Sequence, residues 1–123
     1  LPKSLTFIHC SYNHLTSLPE LPEAFTELYC NNNKLTSLPE LPKSLTFLHC
    51  SDNRLTSLPE LPETLFFLRC SGNQLTSLPK LPDSVRVLNI DYYFLGKKYE
   101  IDNRKDYVEH YNRLLNSQCC PTI

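Results

Sequence analysis

The hydrophobic residues of this chain recur with a period of twenty positions. The repeating unit begins at positions 1, 21, 41, 61 and 81, and its regular copies read L-P-x-S-L-x-x-L-x-C-x-x-N-x-L-T-S-L-P-E. In the stretch Phe47-Leu48-His49 a leucine stands between two residues that point the opposite way, which is the alternation of a short β-strand with one buried face. A fixed period of this length predicts a solenoid in which the strands of successive repeats pair in parallel.

The segment that follows each strand contains an asparagine and then two prolines. Prolines such as Pro59 and Pro62 disfavour an α-helix, so we predict an extended, polyproline-like return on the convex side. An asparagine amide buried at the turn can satisfy backbone groups of its own repeat and of the adjacent one. The predicted asparagine ladder consists of Asn13, Asn33, Asn53 and Asn73.

The substring L-x-x-L-x-C-x-x-N-x-L, with its L-T-S-L-P segment and "LPELP" spacers, resembles the LPX-type leucine-rich repeats of bacterial effectors of the YopM and IpaH type. The resemblance implies an α/β solenoid with short parallel strands on its concave face. The chain departs from those repeats by carrying cysteine where they usually have valine or alanine. The composition of the C-terminal tail also fits an origin in a giant virus or an amoeba-associated microbe.

Two regions follow from the pattern, namely repeats over residues 1–95 and a C-terminal cap over residues 96–123. The fifth unit drifts, since Tyr93 stands where the other units have asparagine. The open end of a solenoid exposes its core, so a cap has to cover it. The first residues already lie in the repeat phase without an initiator methionine, and we therefore expect the chain to be a fragment of a longer protein.

The cap is predicted to contain one helix. Apolar residues within 107–115 have helical spacing, which predicts a helix over about 103–116 that Asp102 or Asn103 caps. We expect residues 99–101 to add a short strand before this helix.

A column of four cysteines occupies the third inward position of the strand segments. A free thiol there behaves as a small hydrophobic group. Zinc sites use closely spaced cysteine pairs instead, and in-register parallel neighbours fit disulfide geometry poorly. We predict packing without metal, with a metal site or a disulfide as the alternatives. The predicted buried thiols are Cys10, Cys30, Cys50 and Cys70.

The outward strand positions form two columns on the concave side. Exposed aromatic residues and arginines commonly mark interaction sites, although aromatics on neighbouring strands can also simply cover the sheet and each other. The first column contains Phe7, Glu27, Phe47, Phe67 and Val87, and the second contains His9, Tyr29, His49, Arg69 and Asn89. The predicted partner-binding residues are Phe7, His9, Tyr29, Phe47, His49, Phe67 and Arg69.

These observations favour a protein-binding module without catalytic residues, metal or cofactor. A net charge of −1 creates no field that would attract nucleic acid. His9 and His49 lie two repeats apart, too far to share one metal ion. We expect the protein in the cytoplasm, including that of a host cell.

Two alternative functions stay open. The chain could be the interaction part of a larger IpaH-like ubiquitin ligase, although Cys119 and Cys120 do not match the Cys-x-Asp motif of those enzymes. It could also be a structural repeat protein without a single partner.

The last four residues, Cys120-Pro121-Thr122-Ile123, formally fit the C-a-a-X prenylation pattern. Pro121 and Thr122 are not the aliphatic pair that this pattern prefers, so an unmodified tail is the alternative. We expect association with a membrane only if these cysteines are lipidated.

Overall fold

The computed structural model describes residues 2–119, with the side chains of residues 2–117. One sheet contains the strands in chain order, followed by a single helix. Strands β1 to β5 run parallel, with paired residues twenty positions apart in the sequence, and β6 returns antiparallel to β5. The predicted α/β solenoid is confirmed. Its elements are β1 Phe7–His9, β2 Glu27–Tyr29, β3 Phe47–His49, β4 Phe67–Cys70, β5 Val87–Phe94, β6 Lys97–Ile101 and α1 Arg104–Cys119.

Each repeat closes through a tight turn that precedes its strand. In the third repeat the Leu45 N–H donates to the Pro42 carbonyl at 3.1 Å, and the other repeats form the same bond. Leu45, Leu48 and Leu55 are then fully buried. The convex returns between the described strands contain no helix, since two prolines in each remove backbone donors.

Asparagine side chains connect successive repeats. The Asn53 amide donates to the carbonyls of Cys30 at 3.0 Å and Cys50 at 3.1 Å, and its oxygen accepts from the Leu35 N–H at 3.0 Å. One side chain thus satisfies backbone groups of two repeats. Asn33 and Asn73 are buried in the same arrangement.

The first predicted member of the ladder differs from the others. Asn13 is exposed, and within the described part of the chain it donates only to carbonyls of its own repeat, those of Cys10 and Ser11. The first repeat has no neighbour on its outer side in this structure, so Asn13 has no second backbone to reach.

The fifth unit does not follow the repeat to its end. Strand β5 continues through Tyr93, where the other units turn, and reverses at Leu95 and Gly96 into β6. Both turn residues have positive φ, at 54° and 78°, as a two-residue hairpin turn requires. The predicted strand over 99–101 is therefore the end of a longer strand that pairs with β5.

Helix α1 covers the end of the solenoid. Asn103 caps it, since its side-chain oxygen accepts the Asp106 N–H at 2.9 Å. The Tyr107 ring is fully buried and its hydroxyl donates to the Pro79 carbonyl. The helix continues to Cys119, three residues beyond the predicted end, because the polar residues after Leu115 include no helix breaker.

The cysteine column lies in the core with one exception. Cys30, Cys50 and Cys70 are fully buried and free, and the Cys50 and Cys70 sulfurs contact each other at 2.9 Å. Burial raises the thiol pKa of Cys30 and Cys50. Cys10 was also predicted to be buried, but it is half-buried because the first repeat is covered on one side only.

We expect the buried thiols to resist labelling in the native protein. In a variant carrying Cys119→Ser and Cys120→Ser, a thiol reagent at pH 8 should modify Cys10 within minutes and the other three column thiols only after denaturation. The reason is that burial limits access and disfavours the reactive thiolate. Rapid native labelling of three or four thiols, or zinc bound in stoichiometric amount, would contradict this packing.

Candidate partner-binding surface

The parallel register places the outward residues of β1 to β4 in two columns on the concave face. Phe7, Glu27, Phe47 and Phe67 are direct neighbours across successive strands, as are His9, Tyr29, His49 and Arg69. The seven residues predicted to bind a partner therefore share this face. Binding itself stays a prediction.

Four of these side chains form a continuous line of ring contacts, which we call the aromatic stripe (His9, Tyr29, Phe47 and Phe67). The ring centroids of His9 and Tyr29 lie 5.0 Å apart, and those of Tyr29 and Phe47 lie 4.7 Å apart. Phe47 and Phe67 are stacked at 3.8 Å with an interplanar angle of 5°. The stripe crosses from the second column to the first, so it runs diagonally over the sheet.

The stripe is partly covered and partly accessible. Tyr29, Phe47 and Phe67 are half-buried by their mutual contacts. This is expected if aromatic residues on neighbouring strands cover the sheet and each other. His9 at the end of the stripe is exposed, and Phe7, which lies outside this line of ring contacts, is 52% exposed. The same side chains can therefore both protect the sheet and offer an apolar surface.

Polar groups flank the stripe. The Tyr29 hydroxyl donates to Glu27 Oε1 at 2.9 Å, which holds the ring in place. Burial, followed by the charge of Arg69, lowers the pKa of His49, which favours the neutral imidazole. Arg69 is exposed and supplies the positive charge beside the stripe.

The sequence did not indicate a second group of residues on the same face. Asp91 lies on β5 two residues after Asn89, and Lys98 and Glu100 join it through the pairing of β6. In the sequence, only the alternation along the strand placed Asp91 on the outward side, because the fifth unit no longer follows the repeat pattern at that position. Among the described residues no group of three or more His, Cys, Asp or Glu side chains could hold a metal ion.

The C-terminal lipidation hypothesis concerns Cys120, which lies outside the described residues. In the part of the chain that the structure covers, no helix combines the length and apolar character needed to cross a bilayer.

Comparisons with known proteins agree with this architecture. Residues 3–43 match the family described as leucine-rich repeats in two copies, and residues 44–65 match the leucine-rich repeat family, so the matches together cover about half of the chain. A search of curated proteins gives no match.

Solved structures of bacterial effectors are similar to this chain. A Shigella effector LRR domain is 41% identical with a TM-score of 0.69, and the match covers 73% of this chain and 41% of that one. YopM from Yersinia pestis is 44% identical with a TM-score of 0.60, over 63% of this chain and 22% of that one. YopM from Yersinia enterocolitica WA-314 is 34% identical with a TM-score of 0.53, over 77% of this chain and 26% of that one.

This chain therefore spans less than half the length of each of the three. None of them comes from a giant virus or an amoeba-associated microbe, so the origin suggested by the tail has no support. The repeat pattern, the parallel sheet and the family matches lead to one conclusion: the chain belongs to the leucine-rich repeat family.

Proposed function

We propose that this chain is a non-catalytic interaction module that binds a partner protein through its concave face. The observation that carries the proposal is the aromatic stripe beside the exposed Arg69. Backbone hydrogen bonds between repeats, such as Cys30 N–H to the His49 carbonyl at 2.9 Å, hold this surface rigid. Rigid aromatic residues lose little entropy on contact, and tyrosine and arginine are typical of binding hot spots.

The proposed place of action is the cytoplasm, including that of a host cell. Two observations support it. The four cysteines of the column are free thiols, which persist in a reducing compartment. The chain is also similar to effector proteins of Shigella and Yersinia. A ligase domain elsewhere in a longer protein would leave the role of the concave face unchanged.

The test uses peptides selected from a random phage-displayed library on the wild-type chain. We expect Phe47→Ala with Arg69→Ala to weaken binding of the selected peptides by at least about thirtyfold, equivalent to about 2 kcal/mol. The same double change should lower the free energy of unfolding by only about 1–2 kcal/mol, because Tyr29 and Phe67 each lose a ring contact with Phe47 but the hydrogen-bond ladders stay intact. Isothermal titration calorimetry and urea melts measure the two quantities.

The convex double change Lys43→Ala with Glu63→Ala is the matched control, since both side chains are exposed on the opposite side. It should alter neither stability nor binding. If it abolishes binding while the concave change is silent, the functional face is the convex one. If no peptide is selected at all, the chain is better described as a structural repeat protein.

A further inference from the structure

Beyond the aromatic stripe the concave face ends in an open cleft at its C-terminal side. We call it the acidic pocket. Its charged residues are Asp52, Asp91, Lys98, Glu100 and Asp102. Four carboxylates and one ammonium group give it a net formal charge of −3, whereas the whole chain carries only −1.

Gly72 lies between two of these carboxylates, those of Asp52 and Asp91. It occupies the position at which the three preceding repeats have a non-glycine residue with positive φ, including Asp52 at 56°. A Cβ atom on Gly72 would lie 2.2 Å from Asp52 Oδ1, so the Asp52 carboxylate fills the space that the missing side chain leaves. On the other side the Gly72 N–H donates to Asp91 Oδ2 at 3.1 Å.

Asp91 replaces a backbone acceptor. In the preceding repeat the Asp52 N–H donates to the Ser71 carbonyl at 2.8 Å, whereas Gly72 uses the Asp91 side chain because β5 continues straight on. The Asp91 residue is only 2% exposed, yet its Oδ1 has no hydrogen-bond partner among the described residues. A buried carboxylate oxygen without a donor is costly, so it favours a ligand that brings donors.

Lys98 neutralises the pocket incompletely. Its ammonium lies 3.5 Å from Asp91 Oδ2 and 3.6 Å from Glu100 Oε1, and its side chain is 42% exposed. One ammonium is thus shared between two carboxylates, while Asp52 and Asp102 form no ion pair within the described residues. The carboxylates of the pocket thus outnumber its ammonium group, which favours the binding of a second cation.

We propose that the acidic pocket binds a lysine or arginine side chain of the partner protein, an inference that rests on the proposed function of the concave face. Ammonium and guanidinium groups supply several charge-assisted donors for Asp91 and Asp52. A metal ion fits less well, because the Lys98 ammonium already lies at Asp91 and no group of three ligands is close enough among the described residues.

The geometry also predicts the spacing of the recognition element. Phe67 pairs with Val87, and Asp91 lies four residues further along β5, so ~3.3 Å per residue and ~4.8 Å between strands place their backbones about 14 Å apart. An extended partner segment covers this distance in about three to five residues at ~3.3 Å each. The partner segment therefore combines an apolar residue on the stripe with a basic residue three to five positions away.

Selected peptides and a charge-neutral variant test this inference. The probes are the phage-selected peptides described above, each compared with a copy in which norleucine replaces its basic residue. The variant is Asp52→Asn with Glu100→Gln, which preserves shape, and Asn is well tolerated at positive φ. The matched control is Glu40→Gln with Glu60→Gln, which removes the same charge from exposed positions on the convex side.

On the wild-type chain and on the control, norleucine should weaken binding about tenfold or more, equivalent to ~1.4 kcal/mol. On Asp52→Asn with Glu100→Gln the loss should shrink below about threefold. If the selected peptides lack basic residues, or if the loss persists in this variant, the pocket does not bind a basic side chain. The proposed function then still stands, provided that Phe47→Ala with Arg69→Ala weakens binding.

Two further outcomes also decide the question. If the change of Phe47 and Arg69 leaves peptide binding intact, the proposed function fails and this inference fails with it. If calcium chloride alone raises the melting temperature of the wild type but not that of Asp52→Asn with Glu100→Gln, the pocket is a metal site and the proposal is overturned.

Discussion

Removal of residues 97–123 should cause the repeats to aggregate or to dimerise through their C-terminal end. The deletion takes away β6 and α1, which cover the last repeat and contribute the buried Ile101, Tyr107 and Leu114. It would expose core residues of the fifth unit such as Ile90. It would also leave β5 as a long open edge strand, which is a template for pairing with another chain. Size-exclusion chromatography with light scattering measures the result.

A point substitution in α1 tests the contribution of the helix while strand β6 stays in place. Tyr107→Ala should lower the free energy of unfolding by about 3–5 kcal/mol, since the ring is fully buried and its hydroxyl bonds to Pro79. Val108→Ala on the exposed side of the same helix should cost less than about 0.5 kcal/mol. A deleted chain that stays monomeric with an unchanged melt would mean that the helix contributes nothing to the repeats.

The second large effect is expected in the asparagine ladder. Asn53→Ala should lower the free energy of unfolding by about 3 kcal/mol, because buried backbone groups of Cys30, Cys50 and Leu35 lose their partner at once. Since the ladder joins neighbouring repeats, the loss should appear in the cooperative unfolding of the whole solenoid. Urea denaturation followed by circular dichroism provides the measurement.

The first repeat contains the natural control for this change. Asn13→Ala should cost less than about 1 kcal/mol, because Asn13 is exposed and bonds only within its own repeat. Equal losses at the two positions would show that burial and the bridge between repeats do not matter. Wild-type stability in Asn53→Ala would show that water replaces the amide without cost.

Much of this architecture was predictable because a repeat encodes the same neighbour contacts again and again. The twenty-residue period determined the register of β1 to β5, the inward phase of the cysteines and the face on which the aromatic residues lie. The helical spacing after position 102 and the capping residue Asn103 likewise predicted α1. These are local or nearest-neighbour properties, and a periodic sequence contains the same signal for them in each repeat.

The ends of the solenoid depend on contacts that no repeat contains. Cys10 and Asn13 are less covered than their equivalents because one side of the first repeat has no neighbour. At the other end, β5 continues past the turn position because β6 pairs with it. The repeat pattern predicts neither result, since it describes only a unit that lies between two others.

The acidic pocket was also decided by tertiary structure alone. Asp91 and Glu100 are neighbours because an antiparallel hairpin sets their register, and Asp52 joins them because Gly72 has no side chain. The sequence by itself determined which residues face the concave side in the regular repeats, since the phase of a strand is local. Only the folded chain determined which charges meet at the end of that face, because their positions depend on strands that break the period.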